Sequence, residues 1–177
     1  MNYGGSMAEP WLRGTLGEIH PVMRAVVHAL EQAKEDLLAW TADLTEEESR
    51  ALPHGLAPVA FHLRHIAGSL DRLLTYADGA ELAEAQLQEL RGEMNPGSSL
   101  KELRALATGR LLQAEARVRE MDAARLEEPR WVGQKRLPTT LAGLLIHTAE
   151  HTQRHIGQLI ITVRVLRELR QAGKKSL

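Results

Sequence analysis

Apolar residues recur every three or four positions along most of the chain, the spacing that places them on one side of a helix. One such stripe predicts a first helix with Pro21 in or near its first turn. The stripe comprises Leu16, Ile19, Met23, Val26, Leu30, Ala33 and Leu37. A second helix begins near Pro58, because proline suits a first helical turn, and ends at Asp78-Gly79.

Two further stripes predict two more long helices. Ser99 precedes the first of them, and Glu102 is placed to complete a capping box with it. The apolar positions of that helix are Leu100, Leu103, Leu106, Leu111, Ala114, Val118 and Met121. The last helix covers about residues 140–173, and residues 81–90 favour a short extra helix between the second and third long ones.

The segments between these stripes show no alternation that would indicate a strand. Residues 43–56 and 127–138 contain charged residues, prolines and glycines, and both are predicted to be irregular. The sequence therefore predicts an all-α protein, a four-helix bundle with one short additional helix. We expect one domain over residues 1–177, with residues 1–8 disordered.

The composition narrows the range of functions. The formal net charge is −1, so no general basic surplus attracts nucleic acid or an anionic membrane. The absence of cysteine excludes disulfides, thiolate metal sites and a cysteine nucleophile. No apolar run is long enough to cross a membrane. We expect a cytoplasmic protein that acts on a small molecule, with helix 1, around Trp40, as a candidate homodimer surface.

Three histidines of the last helix, His147, His151 and His155, repeat every four residues. Imidazoles at this spacing lie on one side of a helix and can reach one metal ion. Relative to the aliphatic stripe, His155 lies roughly 40° from the buried direction, His151 roughly 80° and His147 roughly 120°. The pair His151 and His155 is therefore better placed for the interior of a bundle.

Two other interpretations of these histidines compete with a metal site of this kind. His147, Glu150 and His151 match H-x-x-E-H, the inverted zinc-peptidase motif, in which glutamate acts as general base. Glu150, however, falls almost opposite the buried direction. The other alternative is that the imidazoles are partly buried helix residues, satisfied by Thr148, Thr152 or water.

A third protein ligand would come from the second helix, where His62 and His65 are the candidates. Helical periodicity leaves the choice open, since His62 lies about 60° and His65 about 120° from the aliphatic direction. No acidic residue is predicted to join the histidines as a metal ligand. Asp71 and Glu150 are both predicted to project away from the apolar stripes.

Two segments resemble motifs of the DinB-like superfamily, a family of small four-helix metalloproteins. They are residues 58–67, with the sequence PVAFHLRHIA, and residues 151–159, with the sequence HTQRHIGQL. The family's ligands are the last histidine of the first motif and both histidines of the second. The resemblance therefore implies the ligands His65, His151 and His155, with His62 packed beside the site. Partners that orient such ligands are expected nearby, and Gln158 and Thr148 are the candidates.

Three neutral ligands would leave coordination positions open for water or substrate, as in catalytic metal sites. Zinc, nickel and iron(II) all accept imidazole. The resemblance implies a metal-dependent transferase, because relatives include transferases and isomerases that use low-molecular-weight thiols such as bacillithiol or mycothiol. The alternatives are a metal-dependent hydrolase that uses bound hydroxide and a non-catalytic metal-binding stress-response bundle.

Overall fold

The fold is built from six α-helices and one β-hairpin in the part of the chain that the computed structural model describes, residues 8–95 and 97–175. The expected disorder concerns residues that lie, except for Ala8, outside this part. The helices are α1 (Pro21–Thr41), α2 (Glu46–Arg50), α3 (Val59–Ala77), α4 (Glu84–Arg91), α5 (Leu100–Glu120) and α6 (Leu141–Lys175). The strands are β1 (Pro129–Val132) and β2 (Leu137–Thr140).

The four long helices form a bundle, which confirms the predicted all-α class. Helices α1 and α3 each pack against both α5 and α6, so that α1 and α3 occupy opposite corners. Leu30, Leu63, Leu103 and Leu145, one from each long helix, are no more than 1% exposed. Burial of apolar side chains of this size contributes about 1.5–3 kcal/mol each to folding. The predicted stripes therefore meet in one core.

Two helix starts follow from the local sequence. Helix α1 begins at Pro21, where proline suits the first turn. The prediction that Leu16 and Ile19 belong to this helix is wrong, because both lie before Pro21 and Leu16 has a φ of 42° that is incompatible with a right-handed helix. At α5, the Ser99 hydroxyl accepts a hydrogen bond from the backbone N–H of Glu102 at 3.3 Å, and the Glu102 carboxylate accepts one from the backbone N–H of Ser99 at 2.8 Å. The predicted capping box is therefore present.

Both segments that were expected to be irregular contain short elements. Helix α2 is capped by Thr45 and Glu48, and Arg170 of α6 donates to the Glu48 carboxylate at 2.7 Å. In the second segment, β1 and β2 pair antiparallel, with Pro129 opposite Thr140. The prediction that no strand would form is wrong here, because a two-stranded hairpin gains its stability from contacts with the rest of the fold and not from its own sequence pattern.

Arg130 attaches this hairpin to the bundle. Its side chain is 5% exposed, and its guanidinium donates to the carbonyl oxygens of Ala77 at 2.6 Å and Pro129 at 2.9 Å. It also donates to the Glu128 carboxylate at 2.9 Å. Arg130 thus satisfies the last carbonyl of α3 and joins it to β1.

We expect Arg130→Lys to lower the free energy of unfolding by about 1.5–3 kcal/mol, because an ammonium cannot reproduce the guanidinium fork and leaves a buried acceptor unpaired. Urea unfolding measures the change. Arg136→Lys, at a side chain that is 62% exposed in the same hairpin, is the matched control and should change stability by less than about 0.5 kcal/mol. Equal losses in the two variants would contradict the anchoring role of Arg130.

Candidate metal centre

Helices α3 and α6 bring three histidines together. His65 of α3 and His151 and His155 of α6 each offer one ring nitrogen, and these three atoms all lie within 4.8 Å of one another. The Nε2 atoms of His65 and His151 are 2.9 Å apart. The ring centroid of His155 is 4.2 Å from that of His65 and 4.7 Å from that of His151. The cluster is therefore contributed by two helices that are separated by about half the chain.

The spacing of these nitrogens fits a divalent transition metal. Two nitrogens that each lie about 2.0–2.1 Å from a tetrahedral ion are about 3.3 Å apart. The separation of 2.9 Å between His65 and His151 differs from this value by a few tenths of an ångström, which small side-chain rotations accommodate. The residues present are therefore able to hold a metal ion.

The protonation of the rings also suits a metal. Burial, followed by the nearby His65, lowers the pKa of His151 to about 4. Burial and the same neighbour lower the pKa of His155 to about 3. Both imidazoles are therefore neutral at neutral pH, and a neutral ring has the lone pair that a metal requires.

His147 stands apart from this cluster. Its side chain is exposed, and Nδ1 lies 3.2 Å from the Glu150 carboxylate. Glu150 also pairs with Arg154 on the solvent side of α6. Among the described residues, the group able to share one ion includes neither His147 nor Glu150. The inverted peptidase motif is therefore not assembled as a metal site.

His62 lies beside the cluster without joining it. It is 2% exposed, and its Nδ1 is 3.2 Å from Nδ1 of His155. Burial, followed by the nearby His65, lowers the pKa of His62 to about 4. Phe61 also lies beside the histidine cluster, and its ring stacks on that of His65 with a centroid distance of 5.4 Å. A buried neutral imidazole and an aromatic ring therefore line the α3 side of the cluster.

Glu93 makes a contact that the sequence did not predict. It follows α4 and is only 4% exposed, and its Oε2 lies 2.6 Å from Nδ1 of His65. Its other oxygen, Oε1, is 2.8 Å from the guanidinium of Arg72. Burial raises the pKa of the Glu93 carboxyl, but the hydrogen bond with His65 and the charge of Arg72 outweigh it, so the pKa lies below its usual value.

The expected orienting partners, Gln158 and Thr148, do not have this role. The Thr148 hydroxyl donates to the carbonyl of Leu144 at 2.8 Å, and Gln158 is exposed. Glu93 carried no sequence signal, because it lies in a loop where helical periodicity places no side chain. Glu93 is 28 residues from His65 along the chain, and the packing of α4 against α3 brings the two side chains together.

The chain matches the sequence profile of the DinB superfamily over residues 29–159. These residues include most of α1, all of α3, α4 and α5, and all nine residues of the second motif, 151–159. The chain has no match among curated proteins. The extent of the match and the helical bundle lead to the same assignment: this chain belongs to the DinB superfamily.

Proposed function

We propose that this protein binds one divalent transition metal through His65, His151 and His155. The observation that carries the proposal is the convergence of three ring nitrogens within 4.8 Å. Two of the three rings have a pKa well below the usual histidine value, so they are neutral without a metal being present to displace protons. Zinc, nickel and iron(II) are the candidate ions, because all three accept imidazole nitrogen.

The arrangement is typical of an open site. The three rings are only partly buried, and within the described residues no carboxylate belongs to the group able to share the ion. Three protein ligands leave at least one coordination position for water or substrate. When bound, such an ion supplies a positive charge that lowers the pKa of a coordinated water or thiol.

We propose that the reaction is the transfer of a low-molecular-weight thiol to a small electrophile. The thiol must come from outside, because the chain has no cysteine. The thiol sulfur forms a bond to the electrophilic carbon, its proton passes to solvent, and the leaving group departs with the electron pair of its bond. Phe61 packs against His65 and His62 packs against His155, two of the proposed ligands.

The test uses metal-loaded protein with bacillithiol, mycothiol, glutathione or coenzyme A, and with monobromobimane, which becomes fluorescent when a thiol displaces its bromide. We expect a metal-dependent rate above the buffer rate with at least one thiol. The His151→Ala/His155→Ala variant should return that rate to the buffer value, since it retains one of three proposed ligands.

Two other outcomes would contradict the transferase. Thiol-free, metal-dependent cleavage of esters or amides would indicate a hydrolase instead. Metal that raises the melting temperature but supports no reaction in either assay would indicate a non-catalytic metal-binding bundle.

A further inference from the structure

The ring of His65 is engaged at both of its nitrogens. On one side, Nε2 lies 2.9 Å from Nε2 of His151, inside the histidine cluster. On the other side, Nδ1 lies 2.6 Å from the Glu93 carboxylate. A carboxylate that is paired with a guanidinium, as Glu93 is with Arg72, accepts hydrogen bonds and donates none. The proton of a neutral His65 ring therefore belongs on Nδ1, and the lone pair on Nε2.

Glu93 is itself held from the far side. Arg72 lies two helical turns beyond His65 on α3, is 8% exposed, and places its guanidinium 2.8 Å from Oε1 of Glu93. The carboxylate is thus shared between a cation and an imidazole of the same helix. Because both partners project from one rigid helix, the position of Glu93 relative to the His65 ring is defined although Glu93 itself lies in a loop.

Gly68, between His65 and Arg72 on α3, leaves the space for this ion pair. A Cβ atom at residue 68 would lie 2.7 Å from Nη1 of Arg72 and 2.9 Å from Oε1 of Glu93. Both distances are shorter than van der Waals contact allows. The atoms that would have to move are the ends of the two side chains, not backbone, so a methyl group there would displace the ion pair and leave the helix intact.

We propose that Glu93, held by Arg72 in the space beside Gly68, is a positioning residue that keeps the His65 proton on Nδ1 and presents Nε2 to the metal. The part that concerns metal affinity rests on the proposed function. The part that concerns the position of the proton is a property of the metal-free protein. Carboxylates that accept from the second nitrogen of a metal-binding histidine fix its tautomer and orientation and raise its basicity.

The first experiment needs no metal. Nitrogen-15 NMR of histidine-labelled, metal-free protein at mildly alkaline pH distinguishes the two neutral tautomers of His65. We expect the Nδ1–H tautomer in the unsubstituted protein and a mixture in Glu93→Gln, because an amide can either accept from or donate to Nδ1. An unchanged tautomer in Glu93→Gln would overturn the inference.

The second experiment measures zinc affinity by competition with a chelator. We expect Glu93→Gln and Gly68→Ala each to bind zinc roughly 10–100-fold more weakly. Gly109→Ala is the matched control, since it is a helical glycine of α5 with no neighbour within 4 Å of an added Cβ, and its zinc affinity should not change. The far-UV circular dichroism of metal-free Gly68→Ala should match that of the unsubstituted protein, because only side-chain ends have to move and alanine favours helix over glycine.

The two experiments separate the failure of this inference from the failure of the proposed function. A tautomer that shifts in Glu93→Gln, together with unchanged zinc affinity in both variants, would overturn positioning for the metal. An unsubstituted protein that binds neither zinc, nickel nor iron(II), but whose His65 tautomer depends on Glu93, would end the proposed metal function and still support the role of Glu93 toward His65.

Discussion

Protein purified without chelator is expected to contain about one divalent metal ion per chain, and the His151→Ala/His155→Ala variant almost none. The variant removes two of three nitrogens that lie within 4.8 Å of one another and leaves only His65. Its loss of affinity should exceed the roughly 10–100-fold that follows removal of an outer partner of a ligand. Elemental analysis of the two proteins, followed by zinc titration, measures the difference.

His147→Ala is the control for this experiment. His147 lies one helical turn before His151, but its side chain is exposed and interacts with Glu150. The variant should keep its metal and its affinity. Loss of metal in His147→Ala to the extent seen in the double variant would contradict the proposed ligand set. It would instead favour the H-x-x-E-H motif, in which His147 and His151 bind the metal.

A second large effect is expected from Arg72→Met in the metal-free protein. Glu93 is 4% exposed, and loss of Arg72 would leave its carboxylate buried without a cation. Removal of one partner from a buried ion pair costs about 3–5 kcal/mol, which in a chain of this length lowers the melting temperature by about 6–20 °C. Thermal and urea unfolding measure the loss.

Two comparisons show whether the loss comes from the unpaired charge. Arg72→Met/Glu93→Gln removes both charges and should recover much of the stability. Arg110→Met breaks a pair with Asp71 that is 3.0 Å long, with side chains 35% and 22% exposed, and should cost at most about 1 kcal/mol. A cost for Arg72→Met no larger than that for Arg110→Met would show that Glu93 is not held in the way described.

The helices were predictable because their signals are local. Leu30, Leu63, Leu103 and Leu145 each belong to a stripe whose 3.6-residue period is visible within one segment, and all four are buried. The Ser99 capping box spans only four residues. The order of the histidines along α6 follows from the same geometry: His147 is exposed, and His151 and His155 are partly buried.

Periodicity failed where the position of a residue depends on a second element. It could not choose between His62 and His65, because the helical wheel measures direction from the aliphatic stripe, whereas the cluster lies where α3 meets α6. His62, nearer that stripe, is in the core at 2% exposure, and His65 faces His151. The DinB-like motif identified His65, and the packing of α3 against α6 places it at the cluster.

The four long helices, the Ser99 capping box and two pairs of candidate histidines could be predicted from the sequence, since each depends on residues within a few helical turns of one another. Tertiary packing sets three further features: His65 meets the histidines of α6, Glu93 and Arg72 accompany it, and residues 129–140 form a hairpin. These contacts join segments that are distant along the chain. Only the packing of one element on another sets their distances, and no local pattern of residues encodes it.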